Sequence, residues 1–153
     1  MKFIKSRESL TYCLLLSALV LSSCRDPQQL VVLRDALTLP AKQVVDIRSP
    51  TPLLTPARSQ TGHVCTIIPP PLHIDGTGDL AIVTSEGHHI VPKVWAVREN
   101  GQVDVISSRY FRSQNALCFL GLRTELHPPY VAIRIESPES IRVGRITWSS
   151  VDL

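Results

Sequence analysis

Proline is the residue that most limits what this chain can build. Twelve prolines run from Pro27 to Pro138. Each fixes its φ and lacks a backbone N–H, so a helix that crosses one loses a hydrogen bond and bends or ends there. Between them lie short apolar, β-branched runs bounded by Gly, Pro, Asn and Asp, the pattern of strands and turns. Seven such runs stand out, at residues 63–68, 79–84, 93–99, 102–107, 116–122, 130–136 and 141–148. In the sixth, Val131, Ile133 and Ile135 alternate with Ala132, Arg134 and Glu136, the period of a strand with one dry and one wet face. Asn100 and Gly101 join the third run to the fourth, and an Asn-Gly pair accepts the positive φ values of a type I′ hairpin turn. In the last run Ile141 and Val143 share one parity and Ile146 and Trp148 the other, so the phase change at Gly144 predicts a β-bulge. The expected fold is all-β, an antiparallel β-sandwich, with a jelly roll as one form of it and a small open barrel as the alternative.

The first 24 residues have another character. Lys2, Lys5 and Arg7 precede an apolar run from Leu10 to Leu21, too short for a membrane span and laid out like a secretory signal. Its end, Leu21, Ser22, Ser23 and Cys24, resembles the lipobox of bacterial lipoproteins, in which an aliphatic residue and two small residues precede an invariant cysteine. The resemblance covers this segment alone. It implies that a signal peptide of residues 1–23 is cut away after Cys24 receives a diacylglycerol, and that the new amino terminus gains a further acyl chain such as palmitate. Each buried methylene contributes about 0.8 kcal/mol, so two or three chains anchor the protein to a membrane without spanning it. Arg25, not Asp, follows the cysteine, which by the same resemblance implies the inner leaflet of the outer membrane, facing the periplasm. An ordinary cleaved signal, with Cys24 free or disulfide-bonded, and an uncleaved anchor are the alternatives.

Removing the signal changes the charge. Lys2, Lys5, Arg7 and Glu8 leave with it, so the 16 basic and 13 acidic residues of the chain become 13 and 12. A nearly neutral domain does not present the basic surface that nucleic acid requires. With 44% hydrophobic and 19% charged residues in 153, the chain is neither wholly disordered nor large enough for several domains. Residues 24–62, with Pro40, Pro50, Pro52 and Pro56, read as a tether and extended proline-rich segment, although residues 30–39 could form a first strand or a short helical turn. Residues 63–153 are the expected β-sandwich domain.

Once Cys13 is discarded and Cys24 lipidated, Cys65 and Cys118 form the one internal pair left, each in an expected strand and in an oxidising compartment. Their disulfide closes a loop worth about 4 kcal/mol on the chain-entropy model; two buried free thiols are the alternative. The two-cysteine staple of immunoglobulin domains is similar. However, Trp95 lies 30 residues after Cys65 and Ala116 stands where a corner tyrosine would be, so that family is not adopted.

Chemistry is sparse. None of the histidines, His63, His73, His88, His89 and His127, has a partner at chelating spacing, which favours solvated or locally bonded imidazoles. Asp75 and Asp79 sit four residues apart in a glycine-rich turn and form a partial oxygen set for Ca²⁺, though without the further acids of an EF-hand loop. There is no Gly-x-Ser-x-Gly turn and no phosphate-cradling glycine loop. No enzyme and no cofactor are expected. Trp95, Tyr110 and Trp148 are the candidate ligand-binding residues, core packing being the competing role for the two tryptophans. The ending IRVGRITWSS looks like the last strand of carbohydrate-binding modules. The expected function is a non-enzymatic envelope lipoprotein that contacts another envelope protein, as secretion and envelope-assembly subunits do. The alternative is a glycan-binding module for peptidoglycan or polysaccharide.

Overall fold

The computed structural model describes residues 29–53, 61–76, 80–106, 108–113, 115–123 and 129–151. Among them, fourteen strands occur and no helix. In chain order they are β1 (Gln29–Leu33), β2 (Leu37–Leu39), β3 (Val44–Leu53), β4 (Thr61–Ile67), β5 (His73–Asp75), β6 (Ala81–Val83), β7 (His89–Ile90), β8 (Lys93–Arg98), β9 (Val103–Ile106), β10 (Ser108–Ser113), β11 (Ala116–Arg123), β12 (Tyr130–Glu136), β13 (Ile141–Val143) and β14 (Ile146–Val151). A five-stranded sheet, β1-β14-β4-β11-β10, and a four-stranded sheet, β3-β12-β8-β9, form the two layers of an antiparallel β-sandwich. A β13-β2 pair and a small β5-β6-β7 sheet complete the fold.

The core lies between the two large sheets. Val64, Leu117, Phe119, Ile146 and Trp148 come from the first, and Ile47, Val94, Ala96, Ile133 and Ile135 from the second. Tyr130 of the second sheet meets Trp148 of the first with ring centroids 5.8 Å apart and planes tilted by 52°, a favourable aromatic arrangement. Trp148 is 2% exposed, and its burial is worth about 3 kcal/mol. Its ring lies over Gly62, where an added Cβ would come within 2.6 Å of the indole, so the strand opposite has to be bare there.

The compact unit begins well before residue 63. β1 and β2 lie at residues 29–39, where a first strand was one of two readings, and β3 falls in the stretch expected to be extended linker and makes an edge of the four-stranded sheet. Prolines inside a strand argue against a central position, but an edge strand has backbone groups that need no partner. Pro50 and Pro52 sit where β3 loosens its pairing: Arg48 opposes Ala132 and Leu53 opposes Tyr130, leaving residues 49–52 against a single residue of β12.

Two expected irregularities change place. There is no bulge at Gly144; the chain leaves the β13-β2 pair there and enters β14 of the five-stranded sheet, which accounts for the phase change. The Gly144 N–H donates to the Ile67 carbonyl at 2.7 Å, and a Cβ would stand 3.0 Å from that of Ile67, so the crossing is closed by a residue without a side chain. One bulge that matters for the core occurs in β12, where Val131 and Ala132 together oppose Val97. This extra residue resets the alternation and turns Tyr130 inward to full burial. The hairpin at Asn100 and Gly101 is present but not type I′. Gly101 N–H donates to the Arg98 carbonyl, Arg98 N–H to that of Gln102, and only Gly101 has positive φ, at 83°. The result is a three-residue type I turn followed by a glycine bulge.

Candidate functional site

Register decides which side chains the four-stranded sheet shows to solvent. Val94, Ala96, Ile133 and Ile135 face the core, so the positions between them face out. One outward row runs Asp46–Arg134–Trp95–Val105 across β3, β12, β8 and β9. Arg134 and Asp46 form a two-pronged pair, Nε to Oδ1 at 2.6 Å and Nη2 to Oδ2 at 2.8 Å. The Arg134 hydrogen bond, then its charge and that of Arg48, hold the Asp46 carboxyl below its ordinary range against partial burial. Trp95 is half-buried beside this pair, and Val105 next to it is 57% exposed. Val103, on the same face of β9, is 39% exposed. Two bare valines and an indole on one face form an apolar strip that a lone domain gains nothing by exposing.

The inner side of β9 is the opposite in character. Asp104 stands opposite Ala96 and so points inward. Its Oδ2 accepts from Tyr130 Oη at 2.7 Å and from Arg98 Nε at 2.7 Å, and its Oδ1 accepts from Arg98 Nη2 at 2.9 Å. Burial, and then the bond to Asp104, push the Tyr130 phenol above its ordinary pKa, so it stays protonated and serves as a donor. Arg109 of β10 stands opposite Phe119 and is also turned toward the core side. The edge strand of each large sheet on this side therefore carries an inward charge, a feature that discourages another chain from adding a strand.

The other sequence candidates are dispersed. Trp148 is core and cannot belong to a surface platform. Tyr110 stands opposite Cys118 in β10, with its ring outside the described side chains. Trp95 meets solvent, whereas Trp148 does not. Asp75 ends β5 opposite Ala81, and Asp79 lies outside the described residues, as do Cys24 and His127. His63 is buried in β4. His73 and His89 flank Val83 on one face of the small sheet, and His88 Nδ1 lies 3.3 Å from Glu139 Oε2 at the surface. Among the described residues no three His, Cys, Asp or Glu side chains gather as a metal site would require.

Cys65 and Cys118 are disulfide-bonded. They are direct cross-strand partners in the middle of the five-stranded sheet, with Thr147 beside Cys65 and Tyr110 beside Cys118. The bond therefore ties neighbours within one sheet, unlike the immunoglobulin staple that joins two. No family model, no curated protein and no solved structure matches this chain.

Proposed function

We propose that this chain is a membrane-anchored periplasmic lipoprotein, a non-enzymatic binding or structural subunit that contacts another protein of the cell envelope through the outward face of its four-stranded sheet. The anchor rests on the lipobox resemblance of residues 21–24, and Arg25 after the cysteine supports the inner leaflet of the outer membrane as its location. The binding role rests on one observation, the strip formed by Val103, Val105 and Trp95. Aromatic and aliphatic side chains in contact, bordered by a polar rim, are what the centre of a protein interface offers. The Asp46–Arg134 pair supplies that rim here.

A photo-crosslinking residue at position 105 in the intact cell tests the role. It is expected to capture an envelope protein that a crosslinker at exposed Glu86 does not, and Val103→Lys is expected to abolish the capture. Recovery of the same proteins from both positions, or of none, refutes the assignment. Cys24→Ser tests the anchor separately and is expected to release the protein from the membrane. Half-buried Trp95 beside a charged pair also suits a sugar ring, which favours the glycan-binding alternative. Calorimetric titration with peptidoglycan fragments would show heat lost in Trp95→Ala if that reading holds.

A further inference from the structure

Residues 24–62 read in the sequence as a tether and extended segment, but residues 29–53 carry β1, β2 and β3 of the fold. β1 starts at Gln29, in register with Ser149 and so an integral part of the five-stranded sheet. Only residues 25–28 separate Cys24 from it. A chain extends at most about 3.6 Å per residue, so the five steps from Cys24 to Gln29 span no more than about 18 Å. The prolines that looked like a spacer follow β1 in the chain, and Pro50 and Pro52 are built into β3. They add nothing to the distance between anchor and domain.

We infer that the domain is seated directly on the membrane that carries its lipid, with the Gln29 end of the five-stranded sheet toward the bilayer. The inference rests on the Cys24 anchor proposed above. Strand register defines the end. Thr61, the first residue of β4, pairs with Val151 of β14 and with Arg123, the last residue of β11, and this row lies two residues beyond the one that holds Gln29, Ser149 and His63. The β2·β13 pair lies past Leu33 and Ile146, at the other end of the β1·β14 ladder. A domain of this size is about 36 Å across, so nothing on its surface reaches further than about 54 Å from the bilayer. With 13 basic against 12 acidic residues after processing, net charge neither draws the domain flat onto an anionic surface nor repels it. The short tether is left to set the orientation.

The full-length lipoprotein, purified and placed in phosphatidylethanolamine and phosphatidylglycerol vesicles that carry a headgroup quencher, tests this. A fluorophore is introduced through an azido residue at position 151 in one sample and at exposed Arg142 of β13 in another. Quenching is expected to be severalfold greater at 151 than at 142, and the difference should disappear when twenty Gly and Ser residues are inserted after Asp26. An intact mass that shows Cys24 unmodified overturns both the anchor and the inference. An acylated chain quenched equally at the two positions overturns the seating alone and leaves the anchor standing.

Discussion

Tyr130→Phe removes one hydroxyl from the centre of the protein and leaves its shape unchanged. The phenol is fully buried and donates to Asp104 at 2.7 Å. In the variant Arg98 still holds both carboxylate oxygens, so the loss is one hydrogen bond to a charged acceptor, about 2 kcal/mol. Asp104→Ala does more harm. It strands the buried phenol without an acceptor, about 1–3 kcal/mol by itself, and also takes the counter-ion from Arg98. In the double variant nothing at position 130 remains unsatisfied, so the two losses do not add and a coupling of about 1–2 kcal/mol is expected. Urea unfolding of the processed chain, followed by circular dichroism and by tryptophan fluorescence, measures all four corners of the cycle. A coupling below about 0.5 kcal/mol, or a neutral Tyr130→Phe, would refute the network as a stabilising unit. The pH dependence gives a second readout. The folded phenol holds its proton to higher pH than the unfolded one, which releases it near pH 10. Its contribution is thus complete below about pH 10 and is lost as the pH rises beyond that. Tyr130→Phe should lack this alkaline loss.

Three further outcomes are expected. Replacing Cys65 and Cys118 together by Ala opens a loop of sequence separation 53, which costs about 4 kcal/mol and lowers Tm by roughly 12–20 °C in calorimetry. A loss under about 1 kcal/mol would show that the ladder alone holds β4 to β11. Gly62→Ala drives a methyl into the Trp148 ring and should destabilise by about 1–3 kcal/mol in denaturant titration with a change in tryptophan emission, whereas Gly87→Ala meets nothing within 4 Å and should show only the backbone strain of its positive φ. Asp46, held below its ordinary pKa chiefly by the Arg134 hydrogen bond, contributes stability above about pH 4 that fades as pH falls through its folded value. Arg134→Gln should therefore flatten the acid limb of a stability profile without moving the neutral plateau's shape.

The sequence made the centre of the fold legible and its periphery obscure, for identifiable reasons. β12 was bounded correctly at 130–136 because its alternation is clean from Ile133 to Glu136, and the Cys65–Cys118 bond was open to elimination once the other two cysteines were assigned elsewhere. β3 was hidden by Pro50 and Pro52, which an edge strand tolerates because its outer backbone groups need no partner. β10 was hidden by its polar residues, SRYFRS, which carry no dry face that alternation could reveal. The inward turn of Tyr130 follows from a bulge at Val131 that has no mark in the sequence, neither Gly nor Asn. Of the candidate face only Trp95 was singled out from the sequence, and its valines were missed for a related reason. Val103 and Val105 look like ordinary strand residues, and which side of β9 meets solvent depends on the pairing with β8, a fact of register and not of composition.

The same register also decides how a partner can approach. A bare edge strand offers its backbone to any extended chain, and β9 would be such a template if nothing guarded it. Asp104, pinned inward by Arg98 and Tyr130, places a charged group where an added strand would have to extend the core. Strand addition at β9 would then bring apolar side chains against that network, whereas contact with the outer face covers Val103, Val105 and Trp95 and disturbs nothing beneath. Side-chain packing on the sheet face is thus the cheaper mode of recognition, and it separates two classes of substitution. Val105→Thr keeps the β-branched shape of the strand and should weaken partner capture while leaving the urea midpoint unchanged. Asp104→Ala should lower the midpoint first and affect capture only through the stability it removes.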